Sequence, residues 1–395
     1  MFSLFGQVKV GIDMFFEGGH DRALVGKKIG LITNITAIDA QGVTTLERLK
    51  THNIVAVFAP EHGYWGSAHA AETIHDDKHG DIPIYSLHGS SRRPSKEQLS
   101  NVDVLIYDIQ DIGSRSYTYI STLFYCMEEA VKYKIPFIVL DRPNPLGGMV
   151  VDGPLVDEAS RSFIGYINIP YCHGMTVGEL ANYFNQEYSV GCNLSVISME
   201  GWHRRMTFNE TGLNWIPTSP QIPEADTAFF YPTTGLIGHY SICNIGVGYT
   251  LPFKVIGAPW IDAEKLAEAL NRQKLSGVHF QPFFFRPFFG KYQHETCNGV
   301  LIIITEPGNF YPISSQYTIM GVIKSLYPQN FAEAIAEIHS SSNKKETCQK
   351  LNGCKEIHDI LTDEKYVIWK LREICQKDRE KFLPIRAKYL IPTYN

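Results

Sequence analysis

The chain has 395 residues, of which 44% are hydrophobic and 19% charged, a balance that fits one large or two ordinary globular domains and argues against disorder. Its formal net charge of -5 supplies no basic face for nucleic acid. No apolar run approaches the ~20 residues of a membrane span.

The opening Met1-Phe2-Ser3-Leu4-Phe5-Gly6 lacks a basic region and a full apolar region, so the chain as it stands is read as carrying no export signal. From there the pattern is strand then helix, repeated. Ile29–Ile32, Val55–Phe58, Ile82–Tyr85, Val102–Tyr107 and Pro136–Leu140 are short continuous apolar runs, the signature of parallel strands covered on both faces. A short helix is expected from Thr44 to Lys50. A longer one is marked by Ile120, Leu123, Phe124, Met127, Ala130 and Val131, which share one helical face. Thr176 and Glu179 form a capping box that opens a further helix, and Leu194–Ser198 reads as a strand. Together these predict a doubly wound α/β domain over residues 1–225.

Pro217, Pro220 and Pro223 fall within Asn214–Ala225 and mark the expected boundary. The segment 226–395 is expected to form a smaller α+β domain that closes the cleft. Asp262 caps a helix running to Arg272, Val278–Phe284 and Gly299–Thr305 read as strands, and the remainder from about Ser315 is helical. The eight cysteines are scattered and include no CxxC pair, so free buried thiols are expected, with Cys348 and Cys354 close enough in sequence to bridge.

In open parallel sheets ligands bind outside the carboxyl ends of the strands. The expected strands end on Asn34, Glu61, Asp108 and Asp141, which the fold would gather along one edge. Proline before Glu61 and glycine after His62 can aim that carboxylate into a cleft, where partial burial suits such a group to general-acid work. The polar stretch that follows holds His62, His69, Glu72, His75, Asp76, Asp77, His79 and Asp81; it is a functional or solvated loop, and no HExxH-like spacing marks a metal site. Asp108, Asp111, Arg115 and Tyr117 crowd a third segment, where an arginine could fork onto a substrate carboxylate or order the loop internally. Asp141-Arg142-Pro143-Asn144-Pro145 is stiffened by two prolines, so that Arg142 and Asn144 are either pre-positioned contacts or parts of a turn. Glu179 is explained by its cap, and His173 is a ligand contact or a core histidine. No phosphate loop, GxSxG elbow or complete dinucleotide fingerprint is present, and no cofactor is implied.

Taken in order, Gly30-Leu31-Ile32-Thr33-Asn34, Pro60-Glu61-His62-Gly63, Asp108-Ile109-Gln110-Asp111-Ile112-Gly113, Tyr117-Thr118-Tyr119, Asp141-Arg142-Pro143-Asn144-Pro145-Leu146-Gly147-Gly148, His173–Leu180 and Gly257-Ala258-Pro259-Trp260 resemble the NamZ (YbbC) family of exo-β-N-acetylmuramidases from Val8 to beyond Phe331. The resemblance implies a Rossmann-like first domain, a smaller second domain and a site near their junction. It implies an enzyme that releases terminal β-linked N-acetylmuramic acid from the non-reducing end of cell-wall fragments, in a family whose members are often exported. The family's catalytic glutamate falls on Glu61 and a second family glutamate on Glu72. Glu61 is then expected to protonate the leaving oxygen. Glu72, Asp108 or the substrate's own acetamido group would complete the reaction, and Arg115 or Arg142 would hold the lactyl carboxylate. Asn34, His62, Asp111, Tyr117, Asn144 and His173 are the remaining expected contacts. A non-catalytic muropeptide-binding protein and a metal-dependent hydrolase using the His-rich loop are the alternatives. The chain departs from the family pattern at Ala70-Ala71-Glu72, at Asn34-Ile35-Thr36-Ala37 and at Cys243–Thr250, where relatives carry an Arg and a Glu.

Overall fold

The expected apolar runs form one twisted sheet in the computed structural model, which describes residues 6–70 and 72–395. The Met1–Phe5 stretch read for an export signal, and Ala71, lie outside the described residues. The strands are β1 (Lys28–Thr33), β2 (Asn53–Ala59), β3 (Asp77–His79), β4 (Ile82–Ser86), β5 (Val104–Asp108), β6 (Phe137–Leu140) and β7 (Leu194–Ile197). Their order is β3-β4-β2-β1-β5-β6-β7. All neighbours run parallel except the edge pair β3–β4.

Successive residues of a strand point to opposite faces, and the packing follows that period. Ile32, Phe58, Leu105, Tyr107 and Val139 enter the main core, against α4 (Tyr119–Tyr133) and α5 (Val177–Glu187). Leu31, Val57, Ile106 and Leu140 face a second core covered by α1 (Gly11–Glu17) and α2 (Thr45–Arg48). The short α3 (Lys96–Leu99) precedes β5. Gly11 is obligatory: a Cβ there would lie 2.3 Å from the Asp141 backbone nitrogen. α2 and α5 begin where the sequence places them, on the caps Thr44 and Thr176.

The second half contains α6 (Thr227–His239), α7 (Ala263–Asn271), and an antiparallel sheet of β8 (Val255–Ala258), β9 (Val278–Phe285) and β10 (Cys297–Ile304) in the order β8-β10-β9. The helices α8 (Pro312–Leu326), α9 (Pro328–His339), α10 (Ser342–Asn352), α11 (Lys355–Asp363) and α12 (Ile368–Arg386) complete it. The main core is continuous from Phe58 and Tyr107 of the large sheet to Ile313, Tyr317 and Leu371 of these helices. The Asn214–Ala225 stretch carries no helix or strand. All eight cysteines are free, Cys348 and Cys354 included.

Among the named helices and strands, α1, α3, β3, α6 and β8 were not expected from the sequence pattern, and two of them show why. β3 consists of exposed Asp77, Lys78 and His79, paired with β4 and touched from one side by Tyr64 and Trp65, so no apolar signal announces it. α6 is buried almost all round and contains Pro232, so it lacks the polar face that would show a helical period.

The carboxyl ends of β5 and β6 are joined by a buried ion pair. Arg142 Nε and Nη2 donate to the two carboxylate oxygens of Asp108, the second at 3.0 Å, and the Thr45 hydroxyl donates to the same group. Both partners are buried. Removing one partner of such a pair strands a charge in a dry interior. Arg142→Met is therefore expected to lower stability by about 3–5 kcal/mol, read as a shift in the urea unfolding midpoint. An unchanged midpoint would show that Asp108 tolerates the loss of its cation.

Candidate active site

The strand order reverses direction between β1 and β5, so a crevice opens outside their carboxyl ends. Glu61 stands two residues beyond β2. Pro60 stiffens the exit, and His62 and Gly63 take φ of 70° and 75°, a left-handed pair that turns the chain back sharply. The Glu61 side chain is only 13% exposed. Its Oε2 accepts a 2.5 Å hydrogen bond from the hydroxyl of Thr118, the residue that caps α4. Its Oε1 lies 3.6 Å from His88 Nε2. Burial pushes the His88 imidazole below its ordinary pKa, with Glu61 acting in the opposite sense.

Glu61 looks into a cavity of about 520 Å³, a volume that accommodates a small organic ligand. The first half supplies Glu61, His62, His69, Ser116, Tyr117, Thr118 and Tyr171. The second half supplies Tyr231 and His239 from α6, Ser241 and Asn244 from the loop after it, Lys291 between β9 and β10, and Leu351 from α10. Among the described residues, Glu61 is the only Asp or Glu on this wall and Lys291 the only Lys or Arg.

The polar lining is held from behind. His62 Nδ1 stands 2.8 Å from the carbonyl of Ala68, so Nδ1 carries the proton and Nε2 is the acceptor. Burial lowers the His62 pKa and keeps the ring neutral, and it stacks on Tyr117 at 6.2 Å. The Tyr117 hydroxyl donates to Thr218 Oγ1 at 2.9 Å. Ser116 Oγ lies 2.5 Å from the Tyr171 hydroxyl and 3.1 Å from that of Tyr231. Burial raises all three phenols, so they remain protonated hydrogen-bonding groups.

The other expected site residues are placed behind or beside this wall. Glu72 is exposed and accepts from the backbone of His69 at 2.8 Å, so it borders the cavity through its neighbours. Asp108 and Arg142 satisfy each other. Arg115, expected on the ligand, is buried and donates to the carbonyls of Pro154, Ile169 and Leu351, which fastens the loop after β5 to the end of α10. Asn34 folds onto Thr36 through Oδ1, and its Nδ2 is buried without a hydrogen-bond partner. Asn144 accepts from the backbone of Leu146 and donates to Met175 O, and a Cβ on Gly113 would lie 2.2 Å from its Oδ1. Asp141 accepts from Gly178 N, Thr176 and Tyr394, while Glu179 keeps its cap and pairs with Arg204. Asp111 accepts from Gly113 N at 2.6 Å and stands 3.9 Å from His173 Nε2. Among the described residues no group of three or more His, Cys, Asp or Glu side chains could hold a metal ion, and no helix is long and apolar enough to cross a membrane.

Two lining groups carried no sequence signal: Tyr231 lies in the helix without a period, and Lys291 sits in a turn. Nor did His88, which stands beside Glu61 but off the wall and follows an ordinary strand. Thr118 was within reach, since it is the centre of Tyr117-Thr118-Tyr119.

Burial raises the Asp111 carboxyl from 3.8 to about 7. Its contribution to stability is therefore fully present below about pH 3.8 and is lost as pH rises through about 7. His173, lowered by burial to about 3, acts in the opposite sense: its contribution is present above pH 6.5 and lost as pH falls through about 3. Asp111→Asn is expected to remove a falling component of up to about 1.4 kcal/mol per pH unit from the unfolding free energy between those limits. Parallel stability-against-pH curves for the two proteins would refute the burial effect.

Comparison with known proteins identifies relatives of this arrangement. Residues 29–226 match the model of the exo-beta-N-acetylmuramidase NamZ N-terminal domain, and residues 229–391 that of its C-terminal domain. The peptidoglycan beta-N-acetylmuramidase NamZ of Bacillus subtilis (strain 168) is 41% identical over 331 residues, 82% of this chain and 79% of that protein. Two crystal structures of DUF1343 family proteins from Bacteroides fragilis share the fold. One has a TM-score of 0.90 at 39% identity, covering 98% of this chain and 99% of the other. The second has a TM-score of 0.71 at 25% identity, covering 99% and 100%.

Proposed function

We propose that this chain, which belongs to the NamZ family of exo-beta-N-acetylmuramidases, removes a β-linked N-acetylmuramic acid from the non-reducing end of peptidoglycan fragments, with Glu61 as the general acid. It is a glycoside hydrolase by descent. The observation that carries the assignment to Glu61 is its place as the only carboxylate among the described residues on the wall of a sugar-sized cavity.

Glycoside hydrolysis needs a proton on the departing oxygen as the C1–O bond breaks, and a nucleophile for the oxocarbenium-like carbon. Thr118 donates to Oε2 of Glu61, and the proton to be transferred is assigned to Oε1, the oxygen 3.6 Å from His88 Nε2. Once that proton has passed to the leaving oxygen, the Thr118 hydroxyl and the nearby His88 stabilise the carboxylate that remains. Water adds to C1 and its proton returns to the carboxylate. Asp108, one of the groups expected to serve C1, is enclosed by Arg142 and Thr45. Glu72 is bonded to the His69 backbone and lies off the wall. The acetamido oxygen of the substrate, carried on the neighbouring ring carbon, therefore supplies the first attack on C1; the Tyr117 oxygen, whose proton goes to Thr218, is an acceptor for a sugar hydroxyl, and the protonated Tyr231 phenol a hydrogen-bonding partner.

The test is hydrolysis of a chromogenic β-N-acetylmuramide, the matching glucosaminide and a natural muramic acid-containing disaccharide. Wild type should cleave the muramide and the disaccharide. Glu61→Gln should lose about 10²–10⁴ in kcat on the disaccharide, and far less on the aryl glycoside, whose leaving group needs no proton. A wild type inert on all three would overturn the activity. Equal losses on both leaving groups would remove Glu61 from the acid role. Thr118→Val should lower kcat on the disaccharide by about 10- to 100-fold with KM little changed; an unaltered kcat would show that Glu61 needs no help from that hydroxyl.

A further inference from the structure

The two arginines nearest the crevice in sequence are both occupied. Arg142 is closed onto Asp108, and Arg115 onto three main-chain carbonyls. Arg92 stacks over Phe163 at 4.1 Å, beyond His88 and off the cavity wall. A ligand anion inside the cavity would therefore meet one full positive charge among the described residues, that of Lys291.

Lys291 is built into the wall. It follows Gly290, whose φ is 84°, in the turn between β9 and β10. Its carbonyl accepts from Asn244 Nδ2 at 2.9 Å, so the backbone is fixed against the loop after α6. Its ammonium donates to the carbonyl of Ser241, another lining residue. An ammonium has three donors, and this bond uses one. Glu337 approaches only to 3.9 Å and has a closer partner in Lys344 at 2.8 Å, so the Lys291 charge is not closed off by a carboxylate. The side chain is one-third exposed.

N-acetylmuramic acid differs from N-acetylglucosamine by the lactyl ether on O3, which ends in a carboxylate. From the position and remaining donors of its ammonium, and resting on the activity proposed above, we infer that Lys291 is the specificity-determining residue, pairing with the lactyl carboxylate and so selecting muramic acid over glucosamine derivatives. Glu61 on one half of the chain then acts on C1 while Lys291 on the other half reads the acid.

Binding separates this inference from the hydrolytic one. Calorimetric titration of free N-acetylmuramic acid and N-acetylglucosamine into wild type, Lys291→Met, Lys291→Arg and Arg92→Met reads selectivity without turnover. Wild type should prefer the muramic acid. Lys291→Met should bind it about 10- to 100-fold more weakly while glucosamine binding holds, Lys291→Arg should recover part of the preference, and Arg92→Met should leave it unchanged. Loss of both sugars together in Lys291→Met, with no recovery in Lys291→Arg, would show a structural role and overturn the inference. So would a preference that survives Lys291→Met, one that disappears in Arg92→Met, or none in wild type. If the Lys291-dependent preference is found while wild type hydrolyses no muramide, the assigned activity fails and the anion site stands. If the muramide is cleaved and Lys291→Met keeps its selectivity, the reverse holds.

Discussion

A carboxylate at the carboxyl end of a buried parallel strand must be satisfied before the sheet can close over it, and this molecule meets that constraint in three ways. Asp108 is neutralised by the two-pronged Arg142 guanidinium and a threonine hydroxyl. Asp141 has no cation partner among the described residues; it draws on Gly178 N, Thr176 and Tyr394, and burial raises it to about 7. Glu61 accepts from the Thr118 hydroxyl beside the His88 imidazole, and of the three it is the one that lines the cavity. The first two solutions hold the crevice in shape. The third sets a carboxyl group on the cavity wall, and the difference lies in the surroundings rather than in the strand-end position that all three share.

The same ties make the site a property of both halves of the chain. Arg115 bonds the loop after β5 to the end of α10, and Asp152 accepts from both the backbone and the hydroxyl of Ser314 at the start of α8. Tyr394 carries the chain terminus back to Asp141. A single apolar core runs through these connections. Cavity walls supplied by α6, the β9–β10 turn and α10 are thus held in register with Glu61 before any ligand arrives, which favours a preformed pocket over one assembled by hinge closure.

The architecture was largely legible because its signals are local. Apolar runs of strand length, the Thr176–Glu179 box and the Asp262 cap specify their elements without reference to distant residues. The placement of Glu61 was legible for the same reason: proline before it and glycine after His62 dictate a turn at a strand end. The arginines were not. An Arg beside Asp residues in a loop has the same local sequence whether it grips a ligand or a neighbouring strand, and only burial separates the cases. Arg115 and Arg142 are both enclosed by protein. Tyr231 and Lys291 reach the cavity, and His88 reaches Glu61, through long-range packing, which leaves no periodicity or motif. β3 shows the same limit in the backbone, since a ladder of exposed residues is fixed by its partner strand.

The electrostatics of the wall follow from which groups burial silences. Tyr117, Tyr171 and Tyr231 are pushed upward and remain neutral hydrogen-bonding groups, and His62 is pushed downward and remains a neutral acceptor on Nε2. The formal charge presented to a ligand is then concentrated in Glu61 and Lys291, one from each half. Against a lining that also includes Ile222, Ile245, Val247 and Phe253, each charge acts through a medium less screening than water. A neutral sugar would meet many weak donors and acceptors that recognise its hydroxyls in common with those of other sugars. An acidic sugar adds one interaction that the neutral one lacks. Discrimination between them then needs no wholesale reshaping of the pocket; it requires only that the ammonium keep donors unclaimed by protein, which its distance from Glu337 and its place between Ser241 and Asn244 provide.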